Sequence, residues 1–163
     1  MMVSRIRNSF ASLLILASCA TASALELPRS TKDYTNLAAF VAVVEVEGVV
    51  AAPGGANLLQ YRVQVLDNLK GSLPSVIDIR ILTASKIIQP SPYADAPGQK
   101  WLVILGNRTG QGFYPLKSMN WGKIELLEDE NGELWLARSV TGFGAQYENR
   151  RLSLTEFKRL LSR

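Results

Sequence analysis

The sequence predicts a mainly β protein, a small closed barrel of about six or seven antiparallel strands with a C-terminal α-helix packed on it. Several segments alternate apolar and polar residues with a period of two, as strands with one buried face do. Clusters of Gly, Pro, Asn and Asp separate these segments, as turns between strands do. The last residues alone place apolar side chains at helical spacing behind a capping motif.

Residues 37–163 are expected to form a single domain, preceded by a tether at 25–36. The first strand of this domain is expected within residues 37–50, which are rich in Val. Tyr61, Val63 and Val65 alternate with polar residues, which predicts a second strand with one solvent-exposed face. The remaining predictions, in order, are a strand at 77–81, a proline-rich crossover at 83–99, a doubly buried strand at 100–105 and a fifth strand at 113–119.

The pair Asn131-Gly132 between two β-rich segments predicts a hairpin with a two-residue type I′ turn. Counting outward from that turn pairs Leu127 with Leu136 and Glu125 with Arg138. The second of these pairs would be an ion pair across the two strands.

The C-terminal helix is expected over residues 153–163. Ser153 and Glu156 have the spacing of a capping box, which satisfies two backbone N–H groups at a helix start. An apolar stripe should hold this helix against the barrel; its members are Leu154, Phe157, Leu160 and Leu161.

The residue inventory excludes several classes of function. The 163 residues include 18 Lys and Arg, 14 Asp and Glu, one Cys and no His, for a net charge of +4. Without histidine, His-ligated zinc sites and Ser-His or Cys-His catalysis are excluded. The small basic excess argues against a nucleic-acid partner. We therefore expect no enzyme activity, no metal site and no cofactor.

Residues 1–24 have the pattern of a secretory signal peptide. Arg5 and Arg7 precede an apolar segment at 10–17, which is too short for a permanent membrane span, and small residues end at Ala24. Cleavage after Ala24 would remove two arginines and no acid, lowering the net charge from +4 to +2. We expect export across the inner membrane to the periplasm or the medium.

Cys19 offers a second processing route. Residues 16–19 resemble a bacterial lipobox, in which the cysteine becomes the lipidated first residue of an outer-membrane lipoprotein. Cleavage after Ala24 would instead leave no cysteine, so the fold would depend on its core rather than on disulfides. Both routes remain open.

The string Tyr61-x-Val63-x-Val65-x-x-x-Leu69-Lys70-Gly71, a later Trp101-Leu102-Val103-Ile104-Leu105 and the terminal helix resemble secreted bacterial proteins of the netrin- and TIMP-like module. The resemblance implies an OB-type β-barrel. It does not extend to protease inhibition through an N-terminal zinc-chelating cysteine, because the chain has no cysteine pair.

Two groups of side chains are candidate binding surfaces. OB-type barrels bind oligosaccharides, peptides or bases on aromatic and polar faces. The corresponding ligand-face candidates here are Tyr114, Lys117, Trp121, Trp135, Arg138 and Tyr147. A basic terminal patch could complement the helix dipole or contact anionic lipid. Its members are Arg150, Arg151, Lys158, Arg159 and Arg163.

The acidic residues around Asn131-Gly132 are expected to be solvated rather than to bind a cation, because their spacing is not that of an EF-hand.

The function these features predict is a non-catalytic binding module of the bacterial envelope or secreted fraction, with an envelope protein, a peptide or a glycan as its partner. Two alternatives remain open. One is a structural lipoprotein anchored through Cys19, which would associate with the membrane through its lipid or its basic C-terminus. The other is a His-independent hydrolase using Ser and Lys or paired carboxylates.

Overall fold

The computed structural model describes residues 30–51, 58–82, 97–117 and 119–162. The predicted signal peptide, with Cys19 and the cleavage after Ala24, lies outside the described residues, as do most of the predicted crossover and Arg163. The helices are α1 (Thr31–Leu37) and α2 (Leu154–Leu161), with 3₁₀-helices at Met119–Gly122 and Ala145–Tyr147. The strands are β1 (Phe40–Ala51), β2 (Leu58–Lys70), β3 (Val76–Leu82), β4 (Lys100–Leu105), β5 (Tyr114–Pro115), β6 (Lys123–Glu128) and β7 (Leu134–Leu136).

The seven strands form one open, mixed sheet in the order β5-β3-β2-β1-β4-β6-β7. The prediction of a closed barrel with only antiparallel strands is therefore wrong: β5 and β7 are edges, and β5 runs parallel to β3. The expected fifth strand has only two residues. In the described part of the chain, the isolated β-bridge between Leu105 and Leu116 joins the segment after β5 to β4. Pro115 limits the length of this ladder because it has no N–H to donate. Its carbonyl accepts a hydrogen bond from Gly106 N at 2.9 Å.

Two apolar clusters lie on opposite faces of the central strands. In β4 the side chains alternate between them: Trp101 and Val103 enter what we call the inner core, while Leu102 and Ile104 enter the outer core. The inner core also receives side chains from β1, β2, β3 and β5, and the outer core from β1, β6, β7 and α2. The prediction that residues 100–105 form a strand buried on both faces is confirmed.

Helix α2 confirms the predicted capping box and apolar stripe. The Ser153 hydroxyl accepts from Glu156 N at 3.2 Å, and the Glu156 carboxylate accepts from Ser153 N at 3.4 Å. Phe157 is fully buried in the outer core, with its ring 5.8 Å from that of Phe143. Among the described residues, no helix has the length and hydropathy needed to cross a bilayer.

Helix α1 occupies much of the stretch predicted to be a tether. Ser30 and Asp33 form a second capping box, and Lys32 N donates to the Thr141 carbonyl at 3.2 Å. The Ser30 side chain also lies where a Cβ on Gly142 would clash. The polar residues of this stretch, which resemble those of a linker, instead cap a short helix and dock it. Residues 30–36 therefore belong to the folded domain.

The β6–β7 hairpin differs by one residue from the predicted register. Leu126 pairs with Leu136 and Leu127 with Trp135, so Glu125 lies level with Ala137 rather than with Arg138. A type I′ turn needs positive φ at both central residues, but here Gly132 has φ +79° and Asn131 does not. The hairpin closes instead with Asp129 N donating to Glu133 O at 2.9 Å, which leaves a three-residue loop.

Candidate functional site

Three of the six ligand-face candidates have structural contacts. Tyr114 is buried in the inner core, with its ring edge-on to Phe40 at 5.6 Å. The Trp135 indole is half-buried and donates to an Asp129 carboxylate oxygen at 3.1 Å. Tyr147 packs against the outer core. These rings therefore stabilise the core and the hairpin rather than forming one shared face.

Trp121 and Arg138 do come together. The Trp121 side chain is exposed, and the Arg138 guanidinium lies 4.9 Å from the centre of its ring. Arg138 donates to the backbone carbonyl of Trp121 and, at 3.3 Å, to that of Lys123, and its burial lowers its pKa to about 10. Lys117 is half-buried, and its backbone N–H donates to Ile104 O at 2.9 Å. Arg138 thus holds the backbone under one exposed indole.

The basic terminal patch is partly neutralised by neighbouring acids. Lys158 lies 2.6 Å from an Asp67 carboxylate oxygen, and Arg150 lies 2.6 Å from that of Glu156. Arg151 and Arg159 are exposed. A patch with two of its cations paired is a weak electrostatic attractant at physiological salt.

The acidic hairpin uses its carboxylates to hold the turn. One Asp129 carboxylate oxygen accepts from the backbone N–H groups of Asn131 and Glu133, each at 2.9 Å. These bonds and the one from Trp135 lower the pKa of Asp129. Within the described ranges, His, Cys, Asp and Glu side chains form no group of three that could hold a metal ion.

A cleft of about 440 Å³ opens beside the first half of β3. We call it the β3 cleft. Its volume lies in the range of small-molecule and peptide pockets, roughly 300–1,000 Å³. Its lining combines two arginines, one carboxylate and an apolar floor, contributed by Arg62, Pro74, Val76, Ile77, Asp78, Arg108, Gly112 and Tyr114.

One wall of the β3 cleft is the solvent-exposed face of β2 and β3. Arg62 and Asp78 are paired across the two strands, with Arg62 Nε 3.1 Å from one carboxylate oxygen of Asp78. This bond and the charge of Asp78 raise the pKa of Arg62. Gln60 Nε2 donates to the same carboxylate at 3.0 Å. Asp78 is therefore held by two neighbours while half of the Arg62 side chain stays exposed.

The other wall is the turn that precedes β5. Thr109 N donates to Phe113 O at 2.9 Å, and Gly112 N donates to Thr109 O at 3.0 Å. Gly112 has φ +89°, a conformation that glycine adopts without strain. Arg108 Nε donates to Gly112 O at 3.3 Å, which fixes the base of this guanidinium over the cleft.

Comparison of the chain with family models, curated proteins and solved structures gave no match. The β3 cleft therefore has to be interpreted from its own chemistry. Its guanidinium groups suit carboxylates or phosphates, and the apolar floor suits a ligand with a hydrophobic part.

The sequence contains a partial signal for this site. The alternation around Tyr61 correctly places Arg62 on a wet face, and a meander brings β3 beside β2. The place of Arg108 depends on the parallel pairing of β5 with β3, which connects segments far apart in the chain. That pairing has no local sequence pattern, so the cleft as a whole is not predicted.

Proposed function

We propose that this protein is an exported, non-catalytic binding module of the bacterial envelope or secreted fraction, and that its ligand occupies the β3 cleft. The observation that carries the proposal is the cleft itself, an open cavity of about 440 Å³ that places charged side chains over an apolar floor. Such a combination supplies both affinity and orientation for a ligand.

The chemistry of the cleft favours binding over catalysis. Asp78 is the one carboxylate among its lining residues, and it accepts hydrogen bonds from Arg62 and Gln60. Both oxygens of this carboxylate already accept hydrogen bonds from neighbouring side chains, which leaves little access for a proton from a ligand. The chain has no histidine to act in its place.

Export, location and ancestry are further parts of the proposal. The N-terminal signal pattern supports release with Leu25 as the first residue, while the lipobox-like sequence supports anchoring through Cys19 as the alternative. The parallel β3–β5 pair and the Leu105–Leu116 bridge support a distant relationship to the OB-type, netrin- and TIMP-like module. The small net charge continues to argue against nucleic acid.

A photo-cross-linking experiment in the native host tests the binding module. A benzophenone side chain is introduced at Val76, an exposed residue of the cleft, and as a matched control at Thr155, an exposed residue of α2. We expect a discrete adduct from position 76 that position 155 does not give. If both positions give the same adducts, or neither gives any, the cleft is not the binding site.

The intact mass of the protein from soluble and membrane fractions tests the two processing routes. A soluble form that begins at Leu25 supports a diffusible module, and a lipidated form that begins at Cys19 supports the lipoprotein. A mature protein that still carries residues 1–18 contradicts both.

A further inference from the structure

We infer that the β3 cleft binds an extended peptide segment, which adds as a strand to the edge of β3 and presents a carboxylate to Arg108. This inference rests on the proposed function and names the class of its ligand. Three features of the described residues lead to it: the direction of the β3 peptide groups, the short β5 ladder and the position of Arg108.

The first feature is a row of backbone groups on β3 that point away from β2. Val65 N donates to Ser75 O at 2.7 Å, and β2 and β3 pair in register without a bulge from that point. In an antiparallel ladder, alternate residues bond to the partner strand, so Ile77 bonds to β2 while Val76 and Asp78 direct their peptide groups to the other side. Both residues also line the β3 cleft, so the cleft adjoins this edge of the strand.

The second feature is the room left beside this edge. Strand β5 pairs with β3 only at Ile79 and Arg80, in the second half of the strand. Before Tyr114 the chain turns away at Gly112, so the positions level with Val76 are not filled by β5. A neighbouring strand lies about 4.8 Å away in a sheet, so an added segment would continue the ladder that β5 begins.

The third feature is the excess positive charge. Asp78 offsets Arg62, with which it forms an ion pair. Arg108 is exposed, and its one hydrogen bond to a described residue uses Nε, so its terminal nitrogens can donate to a ligand. A guanidinium in this state binds a carboxylate in a bidentate manner. An acidic side chain or a C-terminal carboxylate in the added strand would supply it.

A peptide fits these features better than a glycan does. Val76 offers one N–H and one C=O toward the cleft, and a further N–H follows at Asp78, at the spacing of a β-ladder. A peptide backbone matches that order of donors and acceptors, whereas a sugar does not repeat it. Exposed strand edges also attract added strands in general.

The test begins with selection from a library of random linear octapeptides displayed on phage, using the folded protein starting at Leu25. We expect enriched peptides to share an acidic residue at one position. The best peptide is then synthesised, and its affinity is measured by calorimetry against the wild type and four variants.

Two variants remove the features and two are their matched controls. Val76→Pro removes the N–H that points into the cleft while leaving the bonds to β2, and should weaken binding at least tenfold, whereas Val76→Ala keeps the N–H and should change it less than threefold. Arg108→Glu should also weaken binding at least tenfold. Arg159→Glu makes the same charge change on α2, outside the cleft, and should have little effect.

Amide hydrogen exchange of the wild type gives a readout that follows the register. On peptide binding, the N–H groups of Val76 and Asp78 should exchange at least tenfold more slowly, and that of Ile77 should change little because it already bonds to β2. Failure to enrich any peptide, or binding unaffected by Val76→Pro and Arg108→Glu, overturns the inference. A non-peptide adduct from the cross-linker at position 76, combined with that failure, would uphold the binding module and reject the peptide.

Discussion

Helices α1 and α2 start with the same capping box in different surroundings, and this allows a matched test of how burial affects the stabilisation that a cap provides. Ser153 is only 4% exposed, while Ser30 is half-buried at the domain surface. Each hydroxyl accepts from the backbone N–H three residues on, at 3.2 Å for Glu156 and 3.1 Å for Asp33. Replacing either serine by alanine removes this acceptor.

We expect Ser153→Ala to lower the free energy of unfolding by about 1–2 kcal/mol, because the N–H it leaves unpaired is shielded from water. Ser30→Ala should cost about 0.5–1 kcal/mol, because water can replace the lost acceptor. For a domain of this length, the Ser153→Ala change corresponds to a fall in Tm of roughly 3–6 °C.

Urea unfolding followed by far-ultraviolet circular dichroism measures both changes, and Ser153→Thr serves as the control that keeps a hydroxyl at the cap. The double alanine variant should lose the sum of the two single changes, because the caps belong to different helices and share no hydrogen bond. A Ser30→Ala loss that equals or exceeds the Ser153→Ala loss would refute the link between burial and cap strength.

Three further changes have defined outcomes. Gly122→Ala should destabilise the protein by roughly 2–4 kcal/mol in chemical unfolding, because its Cβ would lie 2.6 Å from Lys117 O and 2.8 Å from Ile104 O; Gly110→Ala, with nothing within 4 Å, is the control. Asp129→Asn should loosen the hairpin at neutral pH. Folding lowers the pKa of Asp129 below its ordinary value of 3.8. The contribution of the Asp129 carboxylate to stability is therefore present above pH 3.8 and is lost as the pH falls through the pKa of the folded state. The indole N–H resonance of Trp135 should report this loss in the wild type but not in the variant. Trp121→Ala should change stability by less than about 1 kcal/mol in thermal unfolding, because this side chain is 55% exposed.

Local patterns predicted the strands whose environment is uniform along their length. Tyr61 and Val63 are buried and Arg62 is exposed, as their alternation requires. The unbroken apolar run at 101–105 lies in β4 and is buried on both faces. These predictions succeed because strand periodicity depends on each residue's own face and not on which strand lies beside it.

Predictions that depended on one backbone angle or on distant contacts were wrong. The hairpin register turned on whether Asn131 has positive φ, which the dipeptide Asn-Gly favours but does not impose. The docking of α1 depends on Thr141, which lies 110 residues further along the chain. The closed barrel required β5 to extend, and it has only two residues.

The β3 cleft shows why a candidate binding site can go undetected in a sequence whose strands are largely predictable. Its cation and its free strand edge have a single structural origin, the turn at Gly112. By turning the chain away from β3, this glycine keeps β5 from starting before Tyr114 and leaves the peptide groups of Val76 without a β5 partner beside the cavity. The same turn ties Arg108 to the opposite wall through the Gly112 carbonyl. Replacing Gly112 by a residue that cannot adopt positive φ is therefore expected to displace both the free edge of β3 and Arg108. The free energy of ligand binding in the cleft should then fall by more than the free energy of unfolding.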